Sequence, residues 1–529
     1  MDFAKMALDE YNNEMLSPHF GGRDGKPFWN IQSPQFIFTP SFLFPKIVGA
    51  TKYLFTATDK NGKTHSFEAD KPTAYLTPIW NDLPTGLVTL KVESLDSDGV
   101  LNTVSGKPNY ISGVRTFFKM DPFPGRENLP ERACTYRECA RKALRFVFNE
   151  PKVQSWITDG RPPADFPLLF YVSKIVGSVI SAMVDFAKLE PENADKAIAI
   201  AKCGADYLIE TSYGDDTALS GIPRTYMFEP EEENQEDDPM CIPHSRGDMV
   251  MMIYPAAVGS NYLKLAEATG ESKYFDAAMK IAEFYKKTVQ PNGSWPLLVS
   301  ATTGESQSHK SCVAFGISNF LGLVGKKTGD EIWNKLVENF TEYIVKTCHE
   351  NFDWQAQFED APVSDNYSNL THIDADDMVM YLANNCADDP KKIEEAEYLM
   401  RFIEDQFVVW GEFSPWISVN TTEKCSNIAE WHSPAGLEQY NWYVPIDGST
   451  SKIMRAFLTL YKVNNNPLLL EKACALADSI TRIQNPETGM IPTHWIFKDC
   501  NKKVDEWFWM NCHIGVANTM FWIADFLGE

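Results

Sequence analysis

The chain has 529 residues, of which 44% are hydrophobic and 23% are charged, and its formal net charge is −24. This length exceeds what one hydrophobic core usually organises, so we predict two domains, and the composition excludes an intrinsically disordered chain. The acidic balance argues against nucleic-acid and membrane partners, because binding phosphate groups requires a surplus of Lys and Arg.

The N-terminal segment and the cysteines suggest a compartment. Residues Met1 to Leu16 carry charges throughout and have no apolar stretch typical of a signal peptide. The eleven cysteines are odd in number and lack paired metal-ligand spacing, which is typical of reduced thiols. No apolar run reaches the roughly 20 residues that cross a bilayer. We therefore predict a cytoplasmic protein with no metal and no cofactor; the sequence does not indicate an oligomeric state.

Residues 28 to 120 alternate short β-rich runs with turn residues, a pattern that predicts an all-β domain. The segment from Asp59 to Gly62 has the chemistry of a tight turn. The predicted strands are 36–42, 52–58, 64–68, 87–95 and 114–119. We predict a small fibronectin- or immunoglobulin-like β-sandwich that occupies residues 1–122.

After residue 122 the hydrophobic period becomes helical. Short connections that stop at Gly270, at Gly329 or at one of the asparagines 464–466 alternate with long loops. The twelve predicted helices are 135–149, 168–189, 193–212, 249–269, 271–290, 309–327, 329–351, 372–385, 390–408, 446–464, 466–484 and 508–527. This degenerate repeat of helical hairpins predicts a mainly α domain over residues 123–529. Six hairpins that close into an (α/α)6 toroid would bury both faces of the inner helices, which explains why Met249 to Leu265 is apolar nearly all round.

The residues of this region resemble a known superfamily. The twelve helices, the Thr-Gly-Glu and Thr-Gly-Asp turns at 269–271 and 328–330, and the Asn-Gly-Ser-Trp loop at 292–295 are similar to the six-hairpin glycosidase superfamily. The resemblance covers about residues 130–529. It implies a carbohydrate-active enzyme, since the superfamily contains glycoside hydrolases, polysaccharide lyases and sugar epimerases.

In such a ring, the long loops that lead into the inner helices share one rim around the central cavity. Histidines are enriched there, which favours a titratable active-site rim over loops that are merely polar. Five lie in these loops or at a first helical residue: His244, His309, His372, His432 and His494. His513 lies just inside the last inner helix.

The densest group of candidate residues precedes and opens the eighth predicted helix. Carboxyl groups held close together raise one another's pKa, which makes a proton donor available near neutral pH. We predict Asp376 and Asp377 as catalytic and His372 and Asp374 as substrate-binding. His372 and Asp376 are four residues apart and share a helix face. Two other interpretations stay open: acidic residues that only complement the helix dipole, and a calcium site, although the spacing departs from a calcium loop.

A second group lies ahead of the tenth predicted helix, in a loop rich in aromatic residues. Such side chains stack on the apolar faces of sugar rings, and glycoside hydrolysis generally needs two carboxyl groups. We predict Glu430 and His432 as catalytic. The predicted sugar contacts in this group are Trp431, Glu438, Tyr440 and Trp442.

Three further rim residues are predicted to bind substrate. Arg246 beside His244 suits a carboxylated sugar, because a guanidinium grips a carboxylate in two places. The alternative is a surface pair between Arg246 and Asp248. Trp295 is predicted to contact a sugar ring.

The leading hypothesis is a glycoside hydrolase that cleaves an oligosaccharide with paired carboxylates. The alternatives are a polysaccharide lyase or sugar epimerase, with a His or Tyr base acting on a uronic-acid sugar, and a non-catalytic glycan-binding protein. The residues Asp374 to Asp377 also match the D-x-D-D of terpene cyclases, but the repeated Gln-Trp motifs of those enzymes are missing. No G-x-S-x-G elbow, P-loop or H-E-x-x-H motif occurs, so acyl transfer, nucleotide chemistry and catalytic zinc lack support.

Overall fold

The computed structural model describes most of the chain. The described residues are 1–14, 20–21, 26–27, 35–98, 103–104, 107–108, 111–227, 244–350, 354–355, 357–358, 370–411, 433–439, 444–495 and 509–529. They form helices α1 Phe3–Tyr11, α2 Thr77–Trp80, α3 Tyr136–Asn149, α4 Pro151–Asp159, α5 Val172–Leu189, α6 Ala194–Glu210, α7 Tyr254–Thr269, α8 Ser272–Thr288, α9 Gly316–Thr328, α10 Glu331–Ile344, α11 Ile373–Asn385, α12 Pro390–Phe407, α13 Asp447–Asn464, α14 Pro467–Ile483 and α15 Met510–Leu527.

The strands are short outside the N-terminal region. They are β1 Phe20–Gly21, β2 Lys26–Pro27, β3 Gln35–Phe36, β4 Lys52–Thr58, β5 Thr64–Ala69, β6 Gly86–Leu95, β7 Thr103–Val104, β8 Lys107–Pro108, β9 Ile111–Lys119, β10 Met249–Met251, β11 Trp295–Pro296, β12 Leu298–Ser300, β13 Ser311–Cys312, β14 Val408–Val409 and β15 Ala435–Gly436. Five of them form one sheet in the order β3-β9-β6-β4-β5, antiparallel except for β3 beside β9.

Aromatic side chains cover the buried face of this sheet. Phe117 of β9 lies 5.8 Å from Phe36, 5.2 Å from Phe42 and 6.2 Å from Trp80, measured between ring centroids. The β domain is therefore confirmed, but the described residues contain one five-stranded sheet with short two-stranded pairs, and the second sheet of a sandwich stays a prediction.

Four predicted strands match, and the one over 36–42 is a strand only at its start. The backbone N–H groups of Ile37 and Phe38 donate to Asp405 at 2.7 and 2.8 Å instead of to a neighbouring strand. A side chain of the helical domain thus replaces the sheet partner, which strand propensity does not indicate.

The twelve predicted helices are confirmed, and they close into a ring. The inner helices are α5, α7, α9, α11, α13 and α15; each packs against the next, and α15 packs against α5. The outer helices α6, α8, α10, α12 and α14 each pack on the inner helix that precedes them, and α3 packs on α15. The first and last helices therefore form the sixth hairpin. Because every outer helix returns the chain, the N-termini of all inner helices share one rim.

Two predicted helices begin later than expected, since the residues before them form strands. Met249–Met251 pairs with Leu298–Ser300, and Ser311–Cys312 pairs with Trp295–Pro296. The short helices α1, α2 and α4 were not predicted, although Pro151 at the start of α4 and the left-handed Gly160 at its end mark its limits.

One inner helix also has the length and apolar composition of a membrane span. Residues Leu169–Leu189, which include α5, pass that test, and most of their surface is buried inside the protein. The ring accounts for this apolar run, because an inner helix has neighbours on every side but one.

The β domain is fastened to the ring by a buried polar cluster, which we call the interdomain cluster: Glu10, Tyr11, Glu404, Asp405 and Lys472. The Lys472 ammonium donates to Glu404 and to Glu10, each at 2.7 Å, and is completely buried. Tyr11 donates to Glu404 as well. Helix α1 also packs against α14, so the N-terminal segment belongs to the ring's surface as much as to the sheet.

Candidate active site at the rim

The acidic start of α11 lies where the inner helices begin. One Asp374 carboxylate oxygen accepts from the backbone N–H of Phe315 at 3.2 Å, at the N-terminus of the neighbouring α9. Burial, followed by the charge of Asp377, raises the pKa of Asp374 to about 8. Asp374 therefore keeps a proton near neutral pH while it caps a neighbouring helix.

His372 and Asp376 form a buried pair at the start of α11. Nδ1 of His372 and a carboxylate oxygen of Asp376 are hydrogen-bonded, and both residues are completely buried, with the His372 ring 5.2 Å from that of Phe407. The predicted catalytic role of Asp376 and the predicted sugar contact of His372 stay predictions, since neither side chain has exposed surface in this structure.

Asp377 is the partly exposed carboxyl of the group. Its Oδ2 lies beside Gly316, the first residue of α9. Burial raises the pKa of Asp377, an effect that Lys452 opposes and that Asp376 reinforces. Of the three aspartates, this one can present a proton to the interior of the ring.

Two cations of α13, Lys452 and Arg455, lie close enough to Asp377 to lower its pKa against the effect of burial. The sequence analysis did not predict either of them. Lys452 and Arg455 are three residues apart and therefore share a helix face. Arg455 is exposed although α13 is an inner helix, and its guanidinium lies 5.7 Å from the Trp522 ring of α15. The available signal was a pair of cations at this spacing next to the apolar run from Ala456 to Leu458.

A second carboxylate pair lies at the start of α13. Asp447 is completely buried, and burial, with Glu438 adding to it, raises its pKa well above the usual value. Glu438 is partly exposed, 3.8 Å from His494. One oxygen of each carboxylate, Oδ2 of Asp447 and Oε2 of Glu438, has no hydrogen-bond partner among the described residues. The predicted sugar contact of Glu438 stays a prediction.

The other residues predicted from the aromatic-rich loop ahead of α13 cannot be placed. Glu430, Trp431, His432, Tyr440 and Trp442 lie outside the described residues. Their predicted roles stay predictions.

Asp248 precedes β10 and forms hydrogen bonds to a second loop. Its carboxylate accepts from the hydroxyls of Ser300 and Thr302, both at 2.6 Å. Burial raises the pKa of Asp248, but these hydrogen bonds outweigh it and lower that pKa below its usual value. Asp248 thus joins two rim loops. Arg246 lies 6.0 Å from the ring of Tyr226, while the side chain of His244 is outside the described part of the structure.

Trp295 and His513 are enclosed by packing side chains. Trp295 is completely buried, donates its indole N–H to Tyr285 at 2.8 Å and contacts the Phe340 ring at 4.9 Å, and its predicted sugar contact stays a prediction. His513 is buried too: Nδ1 accepts from Ile491 and Nε2 donates to Ala143. Burial lowers its pKa and keeps it neutral.

Within the described ranges, no group of three or more His, Cys, Asp or Glu side chains is placed to hold a metal ion. A cavity of about 530 Å³ lies elsewhere, between residues 215–222 and the outer helix α8, and shares no lining residue with the rim carboxylates.

The packing of α15 against α5 closes the ring of inner helices and identifies the architecture. This chain is a six-hairpin (α/α)6 toroid with an N-terminal β domain. A family model described as "Ulvan lyase N-terminal domain" matches residues 242–428, about a third of the chain. No curated protein matches the sequence.

Solved structures of carbohydrate enzymes are similar to the chain at low identity. A family 76 glycoside hydrolase from a bovine Bacteroides thetaiotaomicron strain has 10% identity and a TM-score of 0.35, with 92% of this chain and 96% of that chain covered. A cellobiose 2-epimerase from Spirochaeta thermophila has 10% identity and a TM-score of 0.45, with 68% and 87% covered. A polysaccharide lyase has 11% identity and a TM-score of 0.45, with 93% and 64% covered. These values are too low to transfer an activity.

Proposed function

We propose that this protein is a carbohydrate-active enzyme, specifically a glycoside hydrolase in which Asp377 is the general acid. One observation supports this role above the others: Asp377 is the exposed member of a carboxyl cluster whose pKa values burial raises. A protonated carboxyl that faces the ring interior can donate its proton to the oxygen of a glycosidic bond.

Glu438 is the second carboxylate in this proposal. It lies on another rim loop, is partly exposed and has a carboxylate oxygen without a described hydrogen-bond partner. An ionised Glu438 would activate water or attack the anomeric carbon. Glu430, predicted from the same loop, is the alternative partner.

The test is product analysis on a panel of neutral and uronic oligosaccharides, with wild type, Asp377→Asn and Glu438→Gln. We expect new reducing ends with wild type and a loss of them in both variants. Asp206→Asn is the matched control, since Asp206 forms an exposed surface pair with Lys273. Hydrolysis that persists in Asp377→Asn would contradict the proposal.

A second candidate, a uronate-cleaving lyase, is favoured by two specific observations. The matched family model bears the name of a lyase domain. In addition, Lys452 and Arg455 place two cations where a substrate carboxylate could bind. The bases predicted for this reaction, His432 and Tyr440, lie outside the described residues.

The same panel separates the two reactions. A lyase would create a carbon–carbon double bond that absorbs ultraviolet light, on uronic substrates alone, and Lys452→Met with Arg455→Met would abolish it. Sugar-dependent thermal stabilisation without any product would instead indicate a glycan-binding protein.

A further inference from the structure

Two cysteines meet at the start of the outer helix α3. Thr135 caps this helix: its side chain accepts from the backbone N–H of Glu138 at 3.1 Å. Cys134 precedes the cap and Cys139 is the fourth residue of the helix. These are the two positions whose side chains pack against each other at a capped helix start, so the local geometry brings the thiols together.

The two thiols are hydrogen-bonded and chemically unequal. The bond from Cys139, helped by Lys142 and Arg132, lowers the pKa of Cys134 to about 7. The same bond, followed by burial, raises the pKa of Cys139, which keeps its proton. Cys134 is partly exposed and Cys139 is completely buried. An accessible thiolate beside a buried thiol is the arrangement of an attacking and a resolving cysteine.

The two cysteines lie where the first and last helices of the ring meet. The next residue, Tyr136, donates its backbone N–H to the Glu529 side chain at 2.8 Å, and Arg132 pairs with the same carboxylate. This contact fastens α3 to the end of α15, the seam between the first and last helices.

We propose that Cys134 and Cys139 form a reversible disulfide at this seam when the protein meets a hydroperoxide. The Cys134 thiolate attacks the peroxide, the O–O bond breaks, and the alcohol or water leaves with a proton, which converts Cys134 to a sulfenic acid. The sulfur of Cys139 then attacks that of Cys134, the S–O bond breaks, and water leaves with the Cys139 proton. Two thiols and one hydroperoxide thus give one disulfide, one alcohol or water, and one further water.

Peptide mapping tests the proposal directly, because trypsin cleaves at Arg137, between the two cysteines. Wild type is treated with one equivalent of hydrogen peroxide, blocked with N-ethylmaleimide and digested without reductant. We expect peptides 133–137 and 138–141 to be joined by a disulfide, and dithiothreitol to separate them. Sulfinic or sulfonic acid at Cys134 without the joined peptides would overturn the proposal.

Variants assign the two roles. In Cys139→Ala, and in Cys139→Ser if the alanine variant does not fold, Cys134 should stop at a sulfenic acid that dimedone traps. Cys134→Ser should leave Cys139 unoxidised. Cys203→Ser is the matched control, because Cys203 is also half-buried but burial raises its pKa. At pH 7 iodoacetamide should modify Cys134 roughly tenfold or more faster than Cys203; equal rates would overturn the assignment of Cys134 as the attacking thiol.

Discussion

Two groups of buried carboxylates in this molecule have opposite surroundings. In the interdomain cluster, Glu404 accepts from Tyr11, from the Trp410 indole at 3.0 Å and from Lys472 at 2.7 Å. Asp405 accepts from three donors, the backbone N–H groups of Ile37 and Phe38 and the side chain of Gln406. Every oxygen of both carboxylates is hydrogen-bonded, as in a structural ion cluster.

At the rim, in contrast, buried polar atoms lack partners within the described part of the chain. They are Nε2 of His372, Oδ1 of Asp376, Oδ2 of Asp447 and Oε2 of Glu438. An unpaired buried polar group costs about 1–3 kcal/mol, so a fold retains several of them together mainly where a ligand or a reaction uses them. Burial and raised pKa values are thus common to the two groups of carboxylates, and hydrogen-bond satisfaction is what differs between them.

The largest effect should come from the rim. Asp377→Asn should lower kcat/KM on the cleaved oligosaccharide by about 10²- to 10⁴-fold, the usual contribution of a general acid. Its free energy of unfolding should stay within about 1 kcal/mol of wild type, because an uncharged amide replaces a protonated carboxyl of nearly the same size. Steady-state kinetics and urea unfolding check both halves. A large loss of unfolding free energy would indicate that Asp377 has a structural role, like Glu404 and Asp405.

The next largest effect belongs to the interdomain cluster. Lys472→Met should lower the free energy of unfolding by about 3–5 kcal/mol, because it leaves the buried carboxylate of Glu404, and the partly exposed one of Glu10, without their cation. The control is Lys273→Met, which breaks the exposed pair with Asp206 and should cost less than about 1 kcal/mol. Similar losses of unfolding free energy in the two variants would show that the buried ion pair stabilises the fold no more than the exposed one.

A smaller effect compares one satisfied and one unsatisfied carboxylate. Asp405→Asn should cost about 1–3 kcal/mol of unfolding free energy, since an amide replaces an acceptor that Gln406 uses. Asp447→Asn should cost less, because Oδ2 of Asp447 accepts no described bond. Denaturation of both variants at pH 7 measures the difference, and the opposite order would contradict it.

The last effect is a dependence on pH, which is the smallest when it is counted over a single pH unit. The pKa of Asp374 is about 8 in the folded protein, above its unfolded value, so its contribution to stability is complete in acid and is lost as the pH rises toward 8. Asp374→Asn should remove up to about 1.4 kcal/mol per pH unit of that decline. Melting temperatures of wild type and variant across this range test it; parallel curves would show that another group titrates.

The periodic features of the ring were predictable from the sequence. Helical spacing indicated all twelve of its helices, because an amphipathic or apolar stripe is a property of neighbouring residues. Gly270 and Gly329 end helices as predicted, and of the three asparagines in the third short turn it is Asn465 that does so; each adopts the left-handed conformation that such residues favour. The clustering of acidic residues at the start of α11 likewise identified a place in the chain where carboxyl groups meet.

The exposure of these side chains depends on tertiary packing. Asp376 and Asp377 are adjacent in sequence, yet one is completely buried and the other is partly exposed. Trp295 carries the same loop signal as a sugar-stacking residue, but Tyr285 and Phe340 enclose it. Lys452 and Arg455 became part of the site only when α13 packed beside α11. Exposure and charge partners depend on helices that are distant in the chain, and ring closure alone brings those helices together.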